Sequence, residues 1–230
     1  MKARIVAFVA LAIGLAALFV RLGFWQLDRL GERQAANDRA RDLLALPAIP
    51  AESLKSVLEQ VNRHAIVSGD PDYDREFVHA GRSRNGSPGV HIYTPIRTGD
   101  GDAFLVNRGW VYAADAATVD PSRWREERRI FHGYVRKLPM GDRTASPQSK
   151  VVRLLNSDVT TKLFPYPVSN LYVVSLDSAG ENVPARLPQP DLTNGPHLSY
   201  AIQWFCFAAI ALIGAGIVVV RARRAGSRGA

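Results

Sequence analysis

Ile5-Val6-Ala7-Phe8-Val9-Ala10-Leu11-Ala12-Ile13-Gly14-Leu15-Ala16-Ala17-Leu18-Phe19-Val20 and Trp204-Phe205-Cys206-Phe207-Ala208-Ala209-Ile210-Ala211-Leu212-Ile213-Gly214-Ala215-Gly216-Ile217-Val218-Val219-Val220 hold no polar side chain. The second run reaches back to Leu198, interrupted only by Ser199, Tyr200 and Gln203. As a helix, Leu198–Val220 is about 34 Å long, enough for a hydrocarbon core of about 30 Å. The first run reaches spanning length if it continues to Trp25. Arg21 can then snorkel to the headgroups, and Trp25 suits the interface. Lys2 and Arg4 ahead of it also fit the basic start of a signal peptide. Against that, Arg21-Leu22-Gly23-Phe24-Trp25 is a poor cleavage site.

Charge gives the orientation. Lys2 and Arg4 precede the first run, and Arg221, Arg223, Arg224 and Arg228 follow the second, with no acidic residue in either tail. The positive-inside rule makes both tails cytoplasmic. These six residues account for most of the net charge of +8 and leave +2 for the rest. The excess is therefore a topology signal, and nucleic acid is set aside as a partner. The expected order is a cytoplasmic 1–4, a span at 5–25, an exported domain at 26–197, a span at 198–220 and a cytoplasmic tail at 221–230. The lipid bilayer is then a partner in itself. The ends lack the Arg- and Ser-rich amphipathic presequence of an organelle-targeted form, so a bacterial plasma membrane is expected.

The single cysteine, Cys206, excludes an internal disulfide framework. There is no Cys-x-x-Cys, and besides Met1 the only methionine is Met140, which argues against copper delivery through soft ligands.

The middle is expected to begin as a charged helix through about Leu46, broken by Pro47 and Pro50. Leu54, Val57, Leu58 and Val61 recur at the spacing of a short amphipathic helix. Short β-type runs follow at 65–67, 76–78, 90–93, 104–106, 110–112, 130–135, 151–155 and 171–176, separated by turn-rich segments. The pattern predicts a membrane α+β chain: two transmembrane helices flanking an antiparallel β-rich domain, or a small barrel. Residues Gly180 to Pro196, with four prolines, read as a linker to the second span.

Few residues offer enzyme chemistry. No nucleophile elbow or glycine-rich phosphate loop is present. Asp70, Asp72 and Asp74 alternate but read as a polar turn rather than a calcium loop. His64, His79, His91 and His132 fall in strand-like context, as surface or satisfied core positions. The polar and aromatic residues of interest gather where the two apolar runs meet the exported side: Trp25 and Gln26 at one, His197, Tyr200, Gln203 and Trp204 at the other. On a helix His197 shares a face with Tyr200, Ala201, Trp204, Ala208, Ala211 and Ala215. An imidazole above a small-residue stripe suits a flat apolar ligand such as haem, for which neutral histidine is a common axial donor. Close helix packing explains the alanines equally well.

At these residues the chain resembles the Surfeit locus protein family of cytochrome c oxidase assembly factors, in its bacterial form. The resemblance runs from about Ile5 to Arg223. It is carried by Leu22-Gly23-Phe24-Trp25-Gln26 with Arg29 and Leu30, Gly81-Arg82, Tyr93-Thr94-Pro95, Val106-Asn107-Arg108-Gly109-Trp110-Val111, Gly133-Tyr134-Val135-Arg136, and His197-Leu198-Ser199-Tyr200-Ala201-Ile202-Gln203-Trp204-Phe205. It departs from the family pattern at Asn194-Gly195-Pro196-His197, where many relatives carry Asn-Asn-His.

The resemblance implies a non-enzymatic factor. It would bind haem A transiently at the outer membrane face and aid its insertion into the haem-bearing oxidase subunit, with haem A synthase as a further partner. A scaffold that binds no haem is the alternative. His197 would ligate the haem iron. Trp25 and Trp204 would wall the porphyrin, beside Tyr200. Gln26 or Gln203 would hold the second imidazole nitrogen or a haem substituent, and Arg29 would pair with a propionate. Asn107-Arg108-Gly109-Trp110 reads either as a docking surface for the oxidase subunit or as a strand-end device, with Gly109 at a bulge and Trp110 in the core.

Overall fold

The structure, a computed structural model, describes residues 2–56, 60–141, 150–177 and 183–227. The chain divides into two compact units, Met1–Arg39 with Leu192–Ala230, and Ala40–Asp191.

The first unit is helical. Helix α1 runs unbroken over Lys2–Ala45 and stops just before Pro47, where proline ends the hydrogen-bond ladder. Among the described residues, its apolar half and the later helix α3 (His197–Ser227) are both long and apolar enough to cross a membrane. They run antiparallel: Phe19 stacks on Trp204 at 5.6 Å, Phe24 meets Phe205 edge-on at 5.4 Å, and Gln26 meets His197. Ala12, Ala16 and Gly23 on α1 and Ala201, Ala208 and Ala215 on α3 are buried. A Cβ on Gly23 would lie 2.6 Å from the Phe205 ring, so glycine is what lets that ring lie against the α1 backbone. The alanine stripe expected to seat a flat ligand is therefore spent on helix packing at Ala201, Ala208 and Ala215. Small residues let helix backbones approach closely.

Among the described residues, the second unit forms a nine-stranded sheet. In chain order its strands are β1 (Ile49–Pro50), β2 (His64–Ser68), β3 (Asp70–Pro71), β4 (Phe77–Arg84), β5 (Ser87–Arg97), β6 (Ala103–Tyr112), β7 (Ile130–Lys137), β8 (Val151–Val152) and β9 (Val168–Ser175). The spatial order is β1-β2-β7-β9-β6-β5-β4-β8, with β3 pairing β5. The expectation of an antiparallel sheet is corrected. β1/β2, β4/β8 and β6/β9 are parallel, so the sheet is mixed. Nor does it close as a barrel among the described residues, since the order is an open path from β1 to β8. The period-2 pattern predicts strands but not which neighbour each one joins. The β4–β5–β6 meander uses short connections, whereas β9 reaches β6 only after a long excursion.

Both faces of the sheet are covered. Alternate side chains of β6 point to opposite sides, as strand geometry requires. Phe104 and Val106 join a core with Val67, Ile96, Phe131, Val135 and Val173 under the 3₁₀ turn Ala51–Ser56. Leu105 joins Phe77, Tyr93, Leu155 and Phe164 beside the short helix α2 (Ser157–Leu163), whose first turn is capped by Asn156. The amphipathic helix expected at 54–61 is instead this 3₁₀ turn, followed by a turn at Val61; Val57 and Leu58 lie outside the described residues. The two runs at 104–106 and 110–112 are one strand, and the strand at 151–155 ends at Val152. The proline-rich stretch before the second helix is no free linker where it is described. Ala185 exchanges two 2.8 Å backbone hydrogen bonds with Trp110, and the Tyr134 hydroxyl donates to the Pro188 carbonyl at 3.0 Å.

Candidate functional site

Two places in the molecule gather the polar residues singled out above, one in each unit.

In the helical unit the chain turns into α3 through Asn194-Gly195-Pro196. Gly195 takes φ +67°, the left-handed region that suits glycine. The first turn then closes by Tyr200 N–H donating to the Pro196 carbonyl and Ser199 Oγ donating to the same oxygen. This leaves His197 half-buried at the head of the helix, with Nδ1 2.9 Å from Gln26 Oε1 on α1. An amide oxygen only accepts, so Nδ1 is the donor in this bond. Gly195 lies beside the other ring nitrogen, where an added Cβ would come within 3.8 Å of Nε2. An imidazole held by one nitrogen, with only a glycine beside the other, is the arrangement of a ligating histidine.

The other expected site residues divide. Gln203 is exposed, and Tyr200 is 45% exposed. Trp204 is stacked on Phe19 and meets Phe207 edge-on at 5.9 Å, so its ring is held by neighbours in the helix pair. Trp25 is exposed and lines a shallow apolar groove of about 640 Å³ with Leu18, Arg21, Leu22 and Phe24, a groove His197 does not line. Arg29 makes an exposed ion pair with Glu32 one turn along.

One residue of this site was not anticipated. Asn37 is buried, and its Nδ2 lies 2.9 Å from the Leu192 carbonyl, 3.1 Å from the Thr193 carbonyl and 3.1 Å from Asn194 Oδ1. Arg33 Nε donates to the Thr193 carbonyl at 3.2 Å. The available signal was spacing: residues 26, 30, 33 and 37 fall on one helical face.

In the sheet unit, Asn107-Arg108-Gly109-Trp110 forms a bulge in β6. Ile92 pairs with Gly109 and Tyr93 with Asn107, leaving Arg108 without a partner across the ladder. Gly109 takes φ +131°, and a Cβ there would lie 2.5 Å from the Ala185 carbonyl oxygen. Asn107 Oδ1 accepts from the Gly109 N–H at 3.0 Å, while its Nδ2 donates to the Tyr93 hydroxyl at 3.1 Å and faces His91 Nδ1 at 3.4 Å.

The bulge turns Arg108 fully inward, where its guanidinium meets Glu76, also fully buried, at 2.9 Å and also donates to the Trp124 carbonyl. Burial pulls the Arg108 pKa down while the Glu76 charge opposes it. Arg125 reaches the other oxygen of Glu76 at 2.9 Å, and Arg186 binds Glu126 at 2.6 Å while donating to the Arg108 carbonyl. The side chains of Asn107 and Arg108 are thus committed to internal partners and offer no surface to another protein. The acidic half of this network, Glu76 and Glu126, gave no sequence signal because each lies far from Arg108 along the chain.

His79 and His91 lie opposite one another on β4 and β5, rings edge-on at 6.5 Å. Burial first, then the nearby Arg82 charge (and for His91 also His79), push both pKa values down to about 4. They are neutral at ordinary pH. Among the described residues no group of three or more His, Cys, Asp or Glu could hold a metal ion, and the aspartates at 70, 72 and 74 include two with partners of their own: Asp70 with Arg129, and Asp72 with Arg75 and the Tyr166 hydroxyl.

The decisive comparison is with families. A model of the SURF1 family matches residues 13–209, which takes in most of α1, the sheet unit with its bulged motif, and the first turns of α3 with His197. The chain belongs to the SURF1 family. Its relatives include a SURF1-like protein of Rickettsia conorii, 26% identical over 97% of this chain and 92% of its own length. A SURF1-like protein of Rickettsia bellii is 24% identical over 92% and 89%. An uncharacterized SURF1-like protein of Mycobacterium tuberculosis is 24% identical over 90% and 80%. SURF1 proteins are, as a family, oxidase assembly factors.

Proposed function

We propose that this SURF1 protein carries haem A as cargo at the head of α3 and passes it to the haem-bearing subunit of cytochrome c oxidase. It would do so at the outer face of a bacterial plasma membrane, with both termini cytoplasmic and the sheet unit exported. The observation that carries the reading is the hydrogen bond between Gln26 and His197. Nδ1 donates to the amide oxygen, which holds the ring by that nitrogen, and the other nitrogen, Nε2, lies beside Gly195, where no side chain stands.

His197 would supply the axial nitrogen, and Gln26 would fix its tautomer and orientation. Arg29 lies one turn from Gln26 on α1. Its exposed pair with Glu32 is worth little, so it can exchange that partner for a propionate. Trp204, braced by Phe19, and the exposed Tyr200 flank the histidine on the same helix. A carrier must release its cargo, and a single protein-supplied ligand on a partly exposed helix end suits moderate affinity. Haem A synthase is the natural donor and the oxidase subunit the acceptor.

The test is an absorption spectrum of detergent-purified protein from a host making haem A, wild type beside His197→Ala. A haem A spectrum in the wild type, lost or shifted in the variant, supports the carrier and its ligand. No haem in either protein, with oxidase assembly still dependent on the chain, moves the conclusion to a scaffold that binds no cofactor.

A further inference from the structure

We infer that Asn37 is the positioning residue that fixes His197 against Gln26, so that the ligand histidine is held from both sides by amides of one helix. The inference rests on the proposed function for its consequence, but its geometry stands apart from haem.

Gln26 and Asn37 are eleven residues apart on α1. That is close to three turns, so they share a face and sit about 16 Å apart along the axis. Gln26 meets His197 at the ring nitrogen Nδ1. One hydrogen bond to a ring nitrogen cannot also fix the backbone that bears the ring, because the side chain can swing about χ1 and χ2. The segment before the helix, Leu192 to Asn194, lies outside any strand or helix. Asn37 gives it two N–H groups shared among three acceptors within 3.1 Å: the Leu192 and Thr193 carbonyls and the Asn194 side-chain oxygen. Arg33 adds a donor to Thr193. Between this clamp and the ligand lies Gly195 at φ +67°, the one joint in the stretch that would let the helix head move if the clamp opened. Asn37 thus fixes one side of that joint and Gln26 the other.

The chemistry of the clamp is donation. An aspartate at 37 has the same shape but only accepts, and it would face three acceptors. Asn37→Asp and Asn37→Leu therefore remove the donors by different routes. The experiment uses the full chain in detergent. Acylation of His197 by diethyl pyrocarbonate is followed by mass spectrometry without haem, and haem A titration is followed by absorption. Both variants are expected to acylate His197 several-fold faster than wild type. They should also bind haem A about tenfold more weakly, the scale of loss when a supporting contact to a metal-ligating histidine is removed. Hydrogen exchange in β6 should be unchanged, which separates loosening of this site from general unfolding, and Asn37→Gln should recover part of both effects. Acylation unchanged in both variants overturns the inference, whatever haem does. A wild type that binds no haem A overturns the proposed function instead and leaves the clamp to be judged by acylation alone.

Discussion

The two motif-bearing regions are built in opposite ways. In the sheet unit, Asn107-Arg108-Gly109-Trp110 is closed in: Arg108 of β6 and Glu76, just ahead of β4, are fully buried, and their other partners come from the segments around 124–126 and 186. In the helical unit, His197 is half-buried, with one nitrogen held and only a glycine beside the other. Both motifs carry the family resemblance, but the atoms of the first that lack partners, Arg108 Nε and Trp110 Nε1, are buried, whereas the second stands at a half-buried helix head. The difference teaches that a recurring motif can be kept for the fold as readily as for the function, and that access from outside tells them apart.

The largest expected effect lies in the sealed region. Arg108→Met takes from Glu76 its fully buried partner, leaving the partly exposed Arg125 at 2.9 Å, and should lower the stability of the sheet unit by about 3 kcal/mol. Adding Glu76→Leu should return much of that loss, since the under-compensated buried charge is what costs. Denaturant unfolding followed by hydrogen exchange in β6 measures both, and a single variant near wild-type stability would show that this network is not what holds the bulge.

Next is Gly109→Ala. A side chain at φ +131° and a contact of 2.5 Å with the Ala185 oxygen should together cost about 1–3 kcal/mol. The loss should also free the Val183–Asp191 stretch, visible as faster proteolysis there.

Acid should weaken the same unit through His79 and His91. Their folded pKa of about 4 lies below the unfolded value of 6.5, so below pH 6.5 the unfolded chain takes up protons first. Stability is flat above pH 6.5 and falls between 6.5 and 4. The full shift corresponds to about 3 kcal/mol per ring; screening of the partly exposed rings reduces that to about 1–2. Urea midpoints from pH 7.5 to 4, with His79→Leu/His91→Leu as the reference, should show the slope in the wild type only.

The smallest effect on stability, and the sharpest contrast, belongs to His197→Ala. It gives up one partly exposed hydrogen bond and should change unfolding by about 0.5–1.5 kcal/mol, yet abolish the haem A spectrum. A large loss of stability there would erase the distinction between the two regions.

Much of this was legible in the residues. The two apolar runs announce their helices by length alone, and Pro47 marks where α1 must stop. The β runs are placed to within a few residues because alternation is a local property. The turn at Gly195-Pro196 and the prominence of His197 are local too. What stayed hidden depends on neighbours in space. Alanines at 201, 208 and 215 fit either a ligand or a helix, and only the packed structure shows that they face a helix. Gln26 and Gln203 were equivalent by type and depth, and only α1 placed one against the ring. Strand order was the other loss, since β9 joining β6 in parallel leaves no trace in either strand's pattern.

The sequence by itself thus determined the elements: two long helices, a β-rich middle, an excess of positive charge at the ends and the family. These follow from backbone periodicity, proline and glycine, which act within a few residues. Only the tertiary structure decided which carbonyls Asn37 would grip, that Arg108 would turn inward to Glu76, and that His197 would meet Gln26. Each of those is a contact between residues dozens to more than a hundred positions apart, and such pairings are chosen by what the whole fold leaves buried and unpaired.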